Sequence, residues 1–399
     1  MSKLKVLMFG WEFPPFKSGG LGTACYGLTK GLARHGVDIT FVMPAVPDGA
    51  HARFVKLVGA DSVKIRKIDS PLVAYMTPAS YEEWHATGKR RHVYGRDIFE
   101  EVQRYAARAA KIAREEKHDI IHAHDWMTYL AGINAKKASK KPLVVHLHAT
   151  EFDRTGGNPD PRISHIEWLG MKEADRIITN SNYSKQNIIK HYKIRPDKID
   201  VVHWGIDDVQ THHFETPLKK DKIVLFLGRI TLQKGPDYFI EVAKKVLDYE
   251  PHTTFVIVGD GDMLPRIINR AAELGISNKV IFTGALSEQD VQKAFQAADL
   301  YVMPSVSEPF GLVALESLKN GTPILISKHS GVSEVLKHAL KADFWDINEM
   351  TNKIVSVLRH PPLREELKKN GMHEVQKFTL DEPAKKVIHT YHHVREVHA

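Results

Sequence analysis

Two glutamates separated by seven residues, in Ser305-Val-Ser-Glu308-Pro-Phe-Gly-Leu-Val-Ala-Leu-Glu316-Ser, are the most informative acids of this sequence. They follow an apolar run, Leu300–Pro304, that reads as a buried strand, and Pro309 suits the first turn of a helix. A helix beginning near Pro309 puts Glu308 at its start and Glu316 two turns along. Both carboxylates then point into one elongated ligand site, one serving a sugar and the other a ribose. The bland alternative is a capping acid plus a solvated helix acid. Against it stand the backbone amides of Phe310, Gly311 and Leu312, which a helix N-terminus would present beside the first acid.

A pair of cations has complementary chemistry. Arg229 and Lys234, in Gly228-Arg229-Ile-Thr-Leu-Gln-Lys234-Gly235, follow another strand-like run and precede a helix. Five residues apart, they can straddle a diphosphate and neutralise the charge that builds on a departing nucleotide. That is leaving-group catalysis without a metal; two solvated loop cations are the alternative. An early loop, Gly10-Trp-Glu-Phe-Pro-Pro-Phe-Lys17-Ser-Gly19-Gly20-Leu21-Gly22, offers adjacent glycines through which backbone N–H groups can approach a phosphate. It is not a dinucleotide fingerprint, because the frame starting at Gly20 puts Cys25 where the last glycine belongs.

Two histidine pairs, His122-Ala-His124-Asp125-Trp126 and His146-Leu-His148-Ala-Thr-Glu151, end consecutive strand-like runs. Period-two alternation sends both members of each pair to one face of a sheet. With no cysteine or carboxylate trio in support, metal ligation is set aside in favour of hydrogen bonds to a sugar or phosphate, with buried, internally satisfied histidines as the alternative. Asp260-Gly261-Asp262 resembles a chelating D-x-D triplet, yet its glycines make it a strand-to-helix turn. No metal site and no cofactor are expected.

The elements that must position these residues alternate throughout. Strands are expected at Lys5–Phe9, Asp38–Pro44, Ile120–His124, Leu143–His148, Arg176–Asn180 and Lys198–Val202, with helices over Thr23–His35 and Arg96–Glu116. After Trp204-Gly205-Ile206-Asp207 the pattern breaks. A second series runs Ile223–Leu227, Phe255–Gly259, Val280–Thr283, Leu300–Pro304 and Pro323–Ser327, each followed by a helical segment. The reading is α/β: two Rossmann-like doubly wound parallel-sheet domains facing across a deep cleft, residues 1–207 and 208–375, with a helical tail over 376–399. A length of 399 residues suits two cores. The apolar fraction of 43% and charged fraction of 26% are those of an ordinary globule.

The net charge of +8 is spread among acids, and its densest clusters, such as Lys89-Arg90-Arg91, lie where loops are expected. No nucleic-acid-binding motif accompanies it. Peripheral contact with a membrane surface stays open. No apolar run is long enough to span a membrane, the stretch Val6–Phe9 is far shorter than a secretory signal, and the one cysteine fits a reducing compartment. A cytoplasmic location is expected.

Taken together, the Lys17-x-Gly-Gly-Leu loop, the His-Ala-His-Asp-Trp segment, His148, Asn180-Ser-x-Tyr-Ser, Gly205-Ile-Asp207, the Arg229/Lys234 pair and the two glutamates resemble the GT-B retaining glycosyltransferases of family 4 and the glycogen and starch synthases. The resemblance covers nearly the whole chain. It implies that Arg229 and Lys234 bind the donor diphosphate, with Lys17, Gly19 and Gly20 contributing, and that Glu316 holds the ribose. Glu308 and the amides of Phe310, Gly311 and Leu312 would hold the donor sugar, and His148 would contact it near the reaction centre. Gly284, Ala285 and Leu286 would meet the base, and Asp125 and Trp126 would lie on the acceptor side. The implied reaction is metal-independent hexosyl transfer from UDP- or ADP-glucose to an α-glucan. A lipid, an inositol phosphate or a small sugar is the alternative acceptor, and a nucleotide-sugar epimerase the alternative of another class. The chain is shorter than a typical bacterial glycogen synthase.

Overall fold

In the computed structural model the described residues are 3–11, 20–44, 63–68, 70, 77–86, 96–207, 214 and 221–398. Lys17, Gly19 and the Lys89-Arg90-Arg91 cluster lie outside them.

The chain divides into two compact units. The first comprises residues 1–150, 160–205 and 380–399. Its strands are β1 (Lys5–Phe9), β2 (Asp38–Pro44), β3 (Val63–Ile68), β4 (Ile120–His124), β5 (Leu143–Leu147), β6 (Arg176–Thr179) and β7 (Ile199–Val201). They form one parallel sheet in the order β3-β2-β1-β4-β5-β6-β7. Helices α1 (Gly20–Arg34), α2 (Pro78–Ala86), α3 (Ile98–Glu115) and α4 (Trp126–Ser139) alternate with the strands. The short α5 (Glu151–Arg154) belongs to the second unit, and α6 (Pro161–Glu173) and α7 (Asn182–Tyr192) return to the first.

Every residue of β4 and β5 is buried, as befits central strands of a parallel sheet covered on both faces. Helix α3 shows how an amphipathic sequence earns its place: Asp97 accepts from the amides of Phe99 and Glu100, and Ile98, Val102, Tyr105, Ala109 and Ile112 form the buried stripe.

The second unit, residues 151–159 and 206–379, is built from β8 (Lys222–Leu227), α8 (Pro236–Leu247), β9 (Thr253–Val258), α9 (Leu264–Glu273), β10 (Val280–Gly284) and α10 (Glu288–Ala297). It continues with β11 (Leu300–Met303), α11 (Leu312–Lys319), β12 (Ile324–Ser327), β13 (Leu340–Ala342), α12 (Ile347–Arg359) and α13 (Pro361–Val375). Its parallel sheet runs β10-β9-β8-β11-β12-β13. Beneath the sheet, Phe226, Phe239, Phe255, Ile257, Ile267 and Ile354 are among the residues of one apolar core. The last helix, α14 (Asp381–Val397), packs in the first unit against α1.

Strand order reverses between β1 and β4 in one sheet and between β8 and β11 in the other. Ligands of open parallel sheets bind outside the carboxyl ends of strands at such points. His124 ends β4, His148 follows β5, Arg229 follows β8, and Glu308 lies beyond β11.

Three local expectations need correction. Strand β3 was not anticipated, because Lys64, Arg66 and Lys67 break its apolar pattern; as an edge strand it tolerates them, with Lys64 and Arg66 paired to Glu116. The three-residue β13 is too short to show a period. Helix α11 begins at Leu312, not near Pro309, because Gly311 turns the backbone through φ +108° immediately before it. Among the described residues no helix is long and apolar enough to cross a membrane.

Candidate active site

In the first unit, β4 and β5 lie side by side with His124 in register with His146. Alternation therefore puts His122, His124, His146 and His148 on one face as a two-by-two layer. Ring centroids are 4.3 Å apart for His122 and His124, 5.3 Å for His124 and His146, and 4.5 Å for His146 and His148. Trp204 extends the stack, 5.1 Å from His146 and 5.5 Å from His148. A metal sits in the plane of each imidazole that binds it, about 2.0–2.1 Å from the nitrogen. These rings are tilted by only 3° to 28° from one another. The rings stack, yet one ligand atom from each of His122, His124 and His146 lies within 4.8 Å of the others, and so it does for Cys25, His124 and His148. The cysteine that the local sequence did not offer comes from α1, which corrects the expectation that none supports the histidines.

His148 is held from several sides. Its backbone N–H donates to Asp125 Oδ1 at 2.8 Å, its carbonyl accepts from Asn180 Nδ2 at 3.1 Å, and its ring Nε2 lies 2.9 Å from His124 Nδ1. Asp125, between β4 and α4, adopts φ 58° and ψ 170°, a region essentially reserved for glycine and costing of order 1–3 kcal/mol elsewhere. At the far end of the layer, His122 Nδ1 is 2.5 Å from the Tyr391 hydroxyl on α14. Burial pushes the pKa values of His122, His124 and His146 well below the usual imidazole range, with repulsion from neighbouring histidines adding to it. Burial also lowers that of His148, against the opposing pull of Asp125. The layer is neutral at pH 7.

Trp126 is buried, its ring 6.2 Å from that of Phe99. Gly20 opens α1.

In the second unit, Lys234 ends a 3-10 turn, Leu232–Lys234, after β8, and its ammonium reaches Glu308 Oε2 at 2.5 Å. Glu308 is anchored through its backbone: its N–H donates to His329 O at 2.9 Å and its carbonyl accepts from Gly331 N at 2.8 Å. Ser305 Oγ lies 3.4 Å from the same carboxylate oxygen. Phe310 is buried, and its carbonyl accepts from Val332 N. Gly311 supplies no side-chain cap to α11, so the amides of Leu312 and Val313 receive none. Tyr301, on β11, is wholly buried; that burial pushes its hydroxyl pKa well up, and the charges of both Glu308 and Glu316 add to the effect.

Arg229 is half-buried directly after β8. Gly284 ends β10 and its carbonyl accepts from Gly259 N; Ala285 beyond it is exposed and Leu286 half-buried. Asp260 is exposed and folds its carboxylate onto the amide of Gly261, the geometry of a turn. Sequence reasoning gave His124 no part of its own and missed the contacts of Asn180, Trp204 and Tyr391 with the layer. Period two signals each histidine pair, whereas Asn180 lies 32 residues from His148 and Tyr391 269 residues from His122, and such contacts leave no local mark.

Residues 208–374 match the family described as glycosyl transferases group 1, and residues 18–210 that described as glycosyltransferase family 4. An uncharacterized glycosyltransferase of Methanocaldococcus jannaschii is 31% identical over 97% of this chain and 98% of its own length. Glycogen synthase of Mycobacterium tuberculosis is 28% identical over 84% of this chain and 80% of its own. The structure of Anabaena HepE in complex with UDP and glucose superposes with a TM-score of 0.71 at 18% identity, covering 97% of this chain and 99% of the other. With two doubly wound sheets, strand-end cations and acids, and a full-length relative above 30% identity, the chain belongs to the group 1, family 4 glycosyltransferases and has their GT-B fold.

Proposed function

We propose that the enzyme transfers a hexose, glucose, from a nucleotide-diphosphate sugar to a hydroxyl acceptor with retention at the anomeric carbon and without a metal ion. The observation that carries this reading is the Lys234–Glu308 contact at the carboxyl ends of β8 and β11. It places a cation for a departing diphosphate beside an acid for the hydroxyls of the sugar that leaves it. Arg229 joins Lys234 on the diphosphate, with Lys17, Gly19 and Gly20 contributing backbone donors. Glu316 takes the ribose, the amides of Phe310, Gly311 and Leu312 the sugar, and Gly284, Ala285 and Leu286 the base. His148 contacts the transferred sugar, and Asp125 and Trp126 belong to the acceptor side. Residues 1–207 form the acceptor domain, 208–375 the donor domain and 376–399 a packing tail, in a cytoplasmic protein.

The departing phosphate accepts the acceptor's proton on the same face of the sugar, while Arg229 and Lys234 stabilise the developing charge. Likeness to HepE, crystallised with UDP and glucose, supports a uridine donor; likeness to glycogen synthase supports an α-glucan acceptor. Inositol phosphate is the competing acceptor, because a D-inositol 3-phosphate glycosyltransferase of Mycobacterium is 27% identical over 86% of this chain.

Chelator-treated protein screened against UDP-, ADP- and GDP-sugars by melting shift and nucleotide release tests the proposal. A selective shift with a sugar nucleotide, followed by elongation of a glucan primer, is expected. Response to none of them overturns the donor reading; turnover with inositol phosphate but no glucan overturns the acceptor.

A further inference from the structure

Three buried imidazole nitrogens, His122 Nε2, His124 Nε2 and His146 Nδ1, have no hydrogen-bond partner among the described residues. A bare ring nitrogen left unpartnered costs less than an orphaned N–H, because a donor has no second way to be satisfied. His146 illustrates the rule. Asn180 Nδ2 donates to His148 O, which fixes the amide so that Asn180 Oδ1 faces His146 Nε2 at 3.3 Å. Nε2 must then carry the proton, and the orphaned Nδ1 is bare.

The same logic applied one residue along has a chemical result. With its Nε2 orphaned, His124 carries its proton on Nδ1, directed at His148 Nε2 2.9 Å away. His148 Nε2 therefore accepts, and the neutral ring holds its own proton on Nδ1. No intramolecular bond to His148 Nδ1 is present among the described residues, and this nitrogen is not among the buried unpartnered atoms.

We infer that His124 is a positioning residue that fixes His148 in the Nδ1–H tautomer, so that His148 meets its ligand as a hydrogen-bond donor and not as a base. This rests on His148 contacting the transferred sugar. The ligand atom opposite Nδ1 is then an acceptor, such as a sugar hydroxyl oxygen. Backbone bonds from Asp125 and Asn180 and the face of Trp204 fix the place of His148; His124 alone selects which nitrogen carries its proton.

The test combines a spectrum with turnover. In protein labelled with 15N-histidine, the His148 signals, assigned by their loss in His148→Ala, are expected to show a protonated Nδ1 and a bare Nε2 at pH 7.5. His124→Asn keeps an N–H close to the position of Nδ1, whereas His124→Leu removes it. The Leu variant is expected to lose about 10-fold to 100-fold in kcat with donor affinity unchanged, and the Asn variant to recover most of it. A His148 that carries its proton on Nε2 overturns the inference, and so does equal turnover in the Asn and Leu variants. If the Leu variant does not fold, the wild-type spectrum and the Asn variant still decide. Full turnover in His148→Ala removes the sugar contact from the proposed function, and the spectrum alone then judges whether His124 sets the tautomer.

Discussion

Lys234 and Glu308, 74 residues apart in sequence, meet at 2.5 Å beyond adjacent strands. Each is the other's counter-charge in the absence of a donor, so neither can be removed without altering its partner. Lys234→Ala is expected to lower turnover at saturating donor by roughly 10² or more through loss of charge stabilisation on the leaving diphosphate. Glu308→Gln frees the lysine and removes an acceptor for sugar hydroxyls. The double variant should lose much less than the product of the two single losses, as groups acting as one unit do. Steady-state kinetics of all four proteins close the cycle; strict multiplicativity would separate the two residues functionally.

Asp125 gives an ordered series. Its carboxylate receives the buried N–H of His148 while its own backbone sits at φ 58°, ψ 170°. Asp125→Asn retains an oxygen acceptor and should stay near the wild type. Asp125→Ala leaves the His148 amide without its acceptor and keeps the strained backbone, a loss of about 1–3 kcal/mol. Asp125→Gly loses the same bond but releases strain of order 1–3 kcal/mol, so it should be more stable than the Ala variant. Urea unfolding ranks them, and an Ala variant as stable as Gly would remove strain from the account.

Helix α1 and the chain entering α14 approach most closely at Gly31. A Cβ there would lie 2.6 Å from the carbonyl oxygen of Leu380 and 2.9 Å from Ala384 Cβ. At Gly27, one turn earlier, it would meet only the tip of the Leu380 side chain, at 2.9 Å. Gly31→Ala forces backbone apart and should cost about 1–3 kcal/mol, partly offset by alanine's better helix propensity of about 1 kcal/mol. Gly27→Ala asks only a leucine to turn and should be close to neutral. Thermal unfolding of both variants checks the difference.

How much of this was legible follows from the range of each signal. Alternating strands and helices, the strand-end position of Arg229 and Glu308, and the common face of the two histidines within each pair are readable from local patterns; that the two pairs share one face follows from the register of β4 on β5. The start of α11 was placed too early because Pro309 is a good first-turn residue, while the deciding fact is the left-handed turn at Gly311, φ +108°, where an added Cβ would also crowd Met303 and Val332. Tyr391 on His122, Trp204 on His146 and His148, and Asn180 on His148 are contacts between distant segments. No residue spacing encodes them. The hydrogen-bond partners that fix the state of His148 were therefore invisible until β4, β5 and their neighbours were in place.

The histidine layer also sets a pH dependence whose sign is fixed by burial. The folded pKa values of His122, His124, His146 and His148 lie below the ordinary value of 6.5. Above that value the rings are neutral in both states and cost nothing. As pH falls below 6.5 the unfolded chain takes up protons that the folded layer refuses. Stability then drops for each such histidine by about 1 kcal/mol between pH 6.5 and 5.5, with a limiting slope of about 1.4 kcal/mol per pH unit below that, until its folded pKa is reached. Carboxylates titrate lower, so the window between pH 6.5 and 5.5 reports on histidines, with the buried His118 adding in the same direction. Urea unfolding is expected to show a steep loss of stability across that unit. Replacing His146 by Gln, whose amide N–H stands near the position of Nε2 and can still face Asn180, should lower the loss across that unit by about 1 kcal/mol even if the variant is less stable overall. A slope unchanged by that replacement would mean that His146 titrates alike in both states, and that its burial does not hold it neutral.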